Sequence, residues 1–285
     1  MGIVFAFLAL FSWGVGDFLI QKCIHRFGKI ISLFFISLIG VIMTFPFVFN
    51  DFGSLFTDSK SLLVLSLAGI VILLAALFNF EGLKHGKLSV VVGIYVLEVP
   101  ITALLSYFII DERITFIQAL LVLLIVIGIF SLSVEKFESL KKIQMEKGVW
   151  YTVLGTIFMG IANFLFGIGG RITSPFMVNF VTDFVILFFC TIFLFYKQEF
   201  KNVTKYILNN SKLILNMTIL DNLAWIFYTF SMFLIPISIA TGISESCIAL
   251  SALLGLIINK EKISLHQKTG LALTLTSSIV LALTS

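Results

Sequence analysis

Ten stretches of about 20 residues, each overwhelmingly apolar, follow one another along this 285-residue chain, at 2–20, 30–49, 62–81, 88–110, 116–134, 148–169, 175–196, 213–234, 237–258 and 267–283. A bilayer core about 30 Å thick takes about 20 residues of helix to cross, so each run is long enough for one crossing. In hydrocarbon every backbone N–H and C=O has to be bonded within its own segment, which makes each crossing a helix rather than a strand. The expected fold class is an all-α polytopic membrane protein with ten transmembrane helices. Only 12% of the residues are charged, against roughly a quarter in a soluble domain. The longest polar links, 135–147 and 197–212, read as connectors, leaving no soluble domain and no basic surface for nucleic acid.

The runs are duplicated. Shifting 88–118 by 149 residues superposes Ser89 on Ser238, Gly93 on Gly242, Ala103 on Ala252, Leu104 on Leu253, Glu112 on Glu261 and Gln118 on Gln267. A shift of 146 does the same for the first run, placing Gly2 on Gly148, Gly14 on Gly160, Asp17 on Asn163 and Phe18 on Phe164. The reading is a five-helix repeat at 1–134, a connector at 135–147 and a second repeat at 148–285. An odd number of crossings per copy inserts the two copies in opposite directions, giving the 5+5 inverted repeat that many secondary transporters use. Charge placement agrees. Of the 19 basic residues, all but Lys60, Arg113 and Arg171 fall in the links after runs 1, 3, 5, 7 and 9. By the positive-inside rule those links are cytoplasmic and both termini lie outside.

Chemistry is concentrated in acids. Every Lys and Arg sits at or beyond a run boundary, yet Asp17, Glu98, Asp183, Asp221 and Glu245 fall within runs. An ionisable group at the centre of a membrane helix costs about 2.5–3.5 kcal/mol on insertion scales, so it normally faces a cavity or a partner. For Glu98 and Glu245 two readings stand: groups lining a transport cavity, or structural hydrogen bonds to neighbouring helices. Asp17 reads either as an interfacial pair of Lys22 or as a gate, and Asp183 and Asp221 as gate or coupling groups. Trp13, Asn163, Asn222, Trp225 and Tyr228 surround these positions. An aromatic wall beside carboxyls suits an amine, a zwitterion or an organic cation, while ordinary helix packing explains any single ring as well. Pro100 removes a backbone donor and should kink run 4 beside Glu98. With Gly93 and Gly242 it forms the candidate hinge.

Runs 5 and 10 are nearly featureless and read as scaffold or homodimer surface. Cys23, Cys190 and Cys247 are far apart and read as apolar packing residues. Residues 1–18 lack the basic start and small-residue cleavage site of a signal peptide and read as a retained span. No HExxH, GxSxG or Walker sequence occurs, so neither an enzyme nor an ATP-driven pump is expected. No metal and no cofactor is expected.

The matching residues are Ser12, Trp13 and Gly14 in run 1, Glu98 and Pro100 in run 4, Asp111-Glu112-Arg113-Ile114-Thr115 before run 5, and in the second half Lys260-Glu261-Lys262-Ile263-Ser264 with the 252–255 region. On these the chain resembles the EamA family of the drug/metabolite transporter superfamily over nearly its whole length. The resemblance implies a secondary permease of the prokaryotic plasma membrane. Its central cavity would be lined mainly by helices 1, 3, 4, 6, 8 and 9, and it would export amino acids or other small metabolites. Two departures stand out: the second half has Cys247 and Ala249 where the Glu-Pro pair would fall, with Glu245 two positions earlier, and the family implies cytoplasmic termini. A proton-coupled multidrug exporter like the four-helix small multidrug family is the rival within transport. Its helix-1 glutamate would fall near Trp13 or Gly14, with Asp17 about a turn away. A non-transporting membrane subunit is the rival outside it. The expected partners are a small-molecule substrate, a coupling proton or ion, and the lipid bilayer.

Overall fold

A computed structural model describes residues 1–55, 58–85, 94–134, 147–250, 253 and 263–285. Among them the chain forms helices α1 (Gly2–Phe27), α2 (Lys29–Val48), the short α3 (Phe52–Leu55), α4 (Ser59–His85), α5 (Glu98–Ile110), α6 (Phe116–Ser133), α7 (Lys147–Ile172), α8 (Pro175–Tyr196), α9 (Phe200–Leu234), α10 (Ile237–Ser244) and α11 (Leu265–Leu283). No strand occurs among the described residues. Seven of the helices, α1, α2, α4, α6, α7, α8 and α9, are long and apolar enough to cross a membrane. α5 and α10 are shorter apolar pieces of runs 4 and 9, and α11 is a 19-residue helix. The candidate hinge Gly93, the connector core 135–146, and the 252 and 254–262 parts of the second hairpin lie outside the described residues.

Helix ends alternate between two faces. One holds both termini: Gly2 lies against Ile235 at the end of α9, and Gln118 at the start of α6 bonds Thr284 at the end of α11. The other is the basic face, where Lys29 pairs with Glu81 at 2.5 Å and the Phe27 ring meets Tyr206 with centroids 4.7 Å apart. The principal packing pairs are α4 with α7, α1 with α9, α6 with α11 and α2 with α8. On α1 the exposed side chains Val4, Leu8, Phe11, Val15 and Phe18 recur at helical spacing and form one lipid-facing stripe.

Two helix ends differ from the sequence reading. α1 runs to Phe27 rather than stopping near residue 20, because the long stems of Lys22 and Arg26 let a helix continue through the headgroup layer. It then turns within one residue: Gly28, at φ 82°, donates its N–H to Ile24 O at 2.9 Å, a backbone state that glycine adopts without steric cost. The 197–212 link is not an unstructured connector. α9 begins at Phe200 and breaks at Asn210, where φ is −142° and ψ 25°. Val203 is buried and Tyr206 half-buried, while Lys201, Lys205 and Leu208 are exposed, so the segment is an amphipathic helix lying along the basic face.

The α6–α11 pair shows most directly how the two parts of the chain interlock. Thr115 and Ser264 each form a capping box at the start of their helix, with Gln118 and Gln267 at the third helical position. Each glutamine then reaches across to the far end of the partner helix: Gln118 Nε2 donates to Thr284 O at 2.9 Å, and Gln267 Nε2 to Leu132 O at 3.1 Å. Between these ends Gly128 and Gly270 face each other. A methyl on Gly270 would lie 2.6 Å from Gly128 O and 2.8 Å from Leu132 N. Only a side chain of zero length lets the backbones approach this closely.

Candidate functional site

The site is built around two helix interruptions. α5 starts at Glu98 immediately after a turn at Val96 and Leu97, and α10 ends at Ser244, before a turn at Glu245 and Ser246 and a resumed helix from Cys247. The 149-residue offset that aligns runs 4 and 9 lays one turn on the other. In the first, Pro100 is the third residue of α5, where a helix has no internal acceptor for its N–H in any case. Val96 O accepts instead from Val99 N at 3.3 Å. The kink expected beside Glu98 is therefore present, on its N-terminal side. In the second, which lacks proline, Ser246 donates its N–H to Ile243 O at 3.1 Å and its hydroxyl to Gly242 O at 3.0 Å. The candidate hinge residue Gly242 is buried at this interruption.

The interruptions bring Glu98 and Glu245 within hydrogen-bonding reach of one another. Asn163 on α7 points Nδ2 at Glu98 Oε2, 3.5 Å away. Asp17 on α1 lies within electrostatic range of Glu98, Glu245 and Asp221. Asp221 on α9 accepts from the Trp13 indole, and Asp183 on α8 neighbours Asp221. The five acids assigned to runs thus form one connected group, each beside another, and no ion pair to Lys or Arg reaches any of them among the described residues. Lys22 does not neutralise Asp17 as the interfacial reading requires. Asp17 lies ten residues before the end of α1, and the charged groups acting on it most are acidic.

Exposure separates the members. Asp17 lies about 140° around α1 from the centre of the lipid-facing stripe, at 100° per residue, yet it is exposed. It therefore faces interior space. One turn nearer the terminal face that space closes: Trp13 is 8% exposed and Tyr228 is fully buried. Trp13 meets both Trp225 and Tyr228 edge-on, with centroids 5.2 Å apart in each case, and Phe166 packs on Trp225 at 4.7 Å. The Tyr228 hydroxyl is 2.7 Å from Thr241 Oγ1. In this conformation Tyr228 belongs to the seal rather than to an open wall, whereas Trp225 and Glu245 are half-buried.

The asparagines divide in the same way. Asn163 attends Glu98, but Asn222 donates to Ile36 O at 3.0 Å and to Thr218 O at 2.8 Å, tying α9 to α2. Asn222 and Asp183 crowd against Gly40, where any side chain would collide with both. A cavity of about 350 Å³ does open on the terminal face, between α3, the start of α4 and the α7–α8 link, lined by Asp51, Asp58, Ser61 and Met177 among others. None of the sequence-assigned residues lines it. No group of three metal-ligating side chains occurs among the described residues.

The cross-face clamp on the terminal side is absent from the sequence reading. Arg171 at the end of α7 pairs with Glu112 at 2.9 Å, and Glu112 also accepts from the backbone and hydroxyl of Ser238 at 3.2 and 3.3 Å. The available signal was an arginine on the face that holds only three basic residues, opposite a glutamate in a short hairpin.

Comparison with known proteins gives a consistent picture. The model of the EamA-like transporter family matches residues 1–134 and 146–283. An uncharacterised protein of Methanocaldococcus jannaschii is 26% identical over 132 residues, which make up 46% of this chain and 96% of that protein. A crystal structure of a protein superposes with a TM-score of 0.74 at 14% identity, over 99% of this chain and 96% of the other. At that identity the likeness establishes the fold alone.

Proposed function

The chain belongs to the EamA-like transporter family and is an integral membrane protein of the drug/metabolite transporter superfamily, and from that premise we propose that it is a secondary active permease, not an enzyme. It moves a small metabolite such as an amino acid, an amine or a related solute by alternating access, in the export direction, across a prokaryotic plasma membrane. The archaeal relative is compatible with that location. Ten helices in two oppositely inserted five-helix halves, residues 1–134 and 148–285, rock against each other around the carboxyl group at mid-depth. The reciprocal Gln118 and Gln267 bonds, the matched helix interruptions and a relative about half this chain's length all support the duplication. Placing the basic face in the cytoplasm follows the charge bias.

One observation carries the reading: Glu98 and Glu245, from equivalent interrupted helices, meet in the interior beside an Asp17 that opens onto it. Broken helices at mid-membrane are where carriers of this type bind substrate and coupling ion. In the working assignment Glu98 and Glu245 provide charge, Trp13, Trp225 and Tyr228 the aromatic surface, Asn163 and Asn222 orientation, and Asp17, Asp183 and Asp221 gating or coupling. Acids with no basic partner among the described residues, beside three aromatic rings, also support a narrower version, a proton-coupled exporter of organic cations.

Purified protein should be stabilised by its substrate in a thermal-shift panel of amino acids, polyamines, nucleosides and quaternary amines, since ligand binding raises apparent stability by occupancy of the folded state. Glu98→Gln and Glu245→Gln in reconstituted vesicles should each reduce uptake of the stabilising compound by at least about tenfold, the effect of losing one charge-assisted bond. Unchanged rate and pH profile in both variants would remove the carboxyls from the mechanism.

A further inference from the structure

The two faces are not held shut in the same way. On the terminal face a polar network, anchored on a mostly covered carboxylate, crosses between the two matched segments. Glu112, its side chain only 8% exposed, receives Arg171 Nη2 at 2.9 Å together with the N–H and hydroxyl of Ser238. Arg171 in turn donates Nε to Met232 O and Nη2 to Ile235 O, both at 2.9 Å. Four hydrogen bonds and one ion pair thus gather the α5–α6 hairpin, the end of α7 and the α9–α10 corner onto one carboxylate and one guanidinium. On the basic face the ion pairs of the described residues, Lys29 with Glu81 and His85 with Glu81, lie wholly within residues 1–134. Hydrogen bonds that cross between the segments there join the end of α6 to the start of α11, from His266 Nε2 to Val134 O at 2.6 Å and from Gln267 Nε2 to Leu132 O at 3.1 Å, with no buried carboxylate among them.

Exposure runs in the same direction. From Asp17, open to interior space, the inward side of α1 becomes progressively buried toward the terminal face through Trp13, Leu10 and Ala6. The facing residues Tyr228, Thr241 and Ile237 are fully buried. The interior is closed where the Glu112 network sits, and the exposed surface of Asp17 lies away from it.

We propose that Glu112, Arg171 and Ser238 form the terminal-face gate of the transport path, a charged clamp that must open for the carboxyl group to be reached from that side. The proposal rests on the carrier reading given above, but its test does not need transport. A network of this kind holds one arrangement firmly because breaking it strands a mostly buried charge. Its loss therefore shifts a two-state equilibrium toward the face it had closed. Arg171 is the better clasp than a lysine would be, since its fork serves one carboxylate and two carbonyls at once.

The reporter is Asp17→Cys in a background with Cys23, Cys190 and Cys247 changed to Ala, reconstituted in vesicles of known orientation and treated with a membrane-impermeant thiol reagent from either side. The parent should label from the basic face and hardly at all from the terminal face. Glu112→Gln and Arg171→Gln should each raise labelling from the terminal face at least about tenfold, in line with the loss of a charge-assisted bond. Ser238→Ala, which removes one hydroxyl donor and leaves the charges in place, should give a smaller rise. Two results overturn the gate: terminal-face labelling of the parent as fast as from the basic face, or variants that keep basic-face labelling and a cooperative thermal transition with no gain on the terminal side. If Glu112→Gln and Arg171→Gln fail to fold, Ser238→Ala decides, and parental labelling in it refutes the clamp. Gated labelling of the reporter, together with no transport of any panel compound by the protein that keeps Asp17, would retain the gate and reject the carrier reading.

Discussion

Replacing Gly270 with alanine tests how closely the α6–α11 seam is packed. The added methyl would stand 2.6 Å from Gly128 O and 2.8 Å from Leu132 N, with Ser131 Cβ at 3.0 Å. Two of these three atoms are backbone, so no side-chain rotation relieves the contact and the helices must separate by roughly 0.5–1 Å. A radial gap of that size forfeits a quarter to a half of each dispersion well along the seam. It also stretches the Gln118 and Gln267 bonds at the two ends. Overpacking of this kind costs about 1–3 kcal/mol, while alanine in a helix interior gains about 0.5–1 kcal/mol over glycine. The difference of the central values predicts a net loss of about 1 kcal/mol, and at most about 2.5 kcal/mol. Equilibrium unfolding in mixed detergent micelles, followed by tryptophan fluorescence, measures it. Gly128→Ala should lose a similar amount, because its methyl would lie 2.9 Å from both Gly270 O and Thr274 N, and the double variant should lose less than the sum, since one separation relieves both contacts. A Gly270→Ala protein as stable as the parent, or more so, would refute the close-backbone account.

Two further outcomes follow from specific contacts. Gln118→Ala and Gln267→Ala each remove a capping-box side chain and a bond to the partner helix. They should each destabilise by about 1–2 kcal/mol in the same unfolding assay, near the range for caps and neutral hydrogen bonds. Unequal losses differing by more than about 1 kcal/mol would contradict equivalent roles. Thr241→Val leaves the fully buried Tyr228 hydroxyl without its acceptor, at a cost of about 1–3 kcal/mol; adding Tyr228→Phe should recover much of it, and an additive double variant would mean that the hydroxyl bonds elsewhere.

Much of the architecture could be read from the chain because lipid leaves few choices. A run of 20 apolar residues without a charge has to be a helix, and the repeated SxxxG and Gln positions showed which helices correspond. The meeting of Glu98 with Glu245 was only partly legible: the 149-residue offset matches the two runs but lays Glu98 on Cys247 and Glu245 on Val96, so no equivalence of the two acids announced it. Helix ends were harder. Hydropathy falls at Lys22 and at Lys197, but snorkelling carries α1 on to Phe27, and an amphipathic surface helix fills the stretch before Asn210. Asn163 turns to Glu98 while Asn222 bonds backbone carbonyls, and nothing in composition separates an amide turned to a carboxyl from one turned to a carbonyl. The break at Glu245 carries no proline, so only its alignment with Val96 and Leu97 marks it.

The principal helix pairs all join an early segment to a late one: α1 with α9, α2 with α8, α4 with α7, α6 with α11. On the duplication proposed above, a unit of inheritance is consequently not a unit of assembly. While the ribosome is still making the second segment, every long helix of the first waits in the bilayer beside lipid instead of its mate. α6 waits long, because the carbonyl that Gln118 seeks is that of Thr284, past the end of α11.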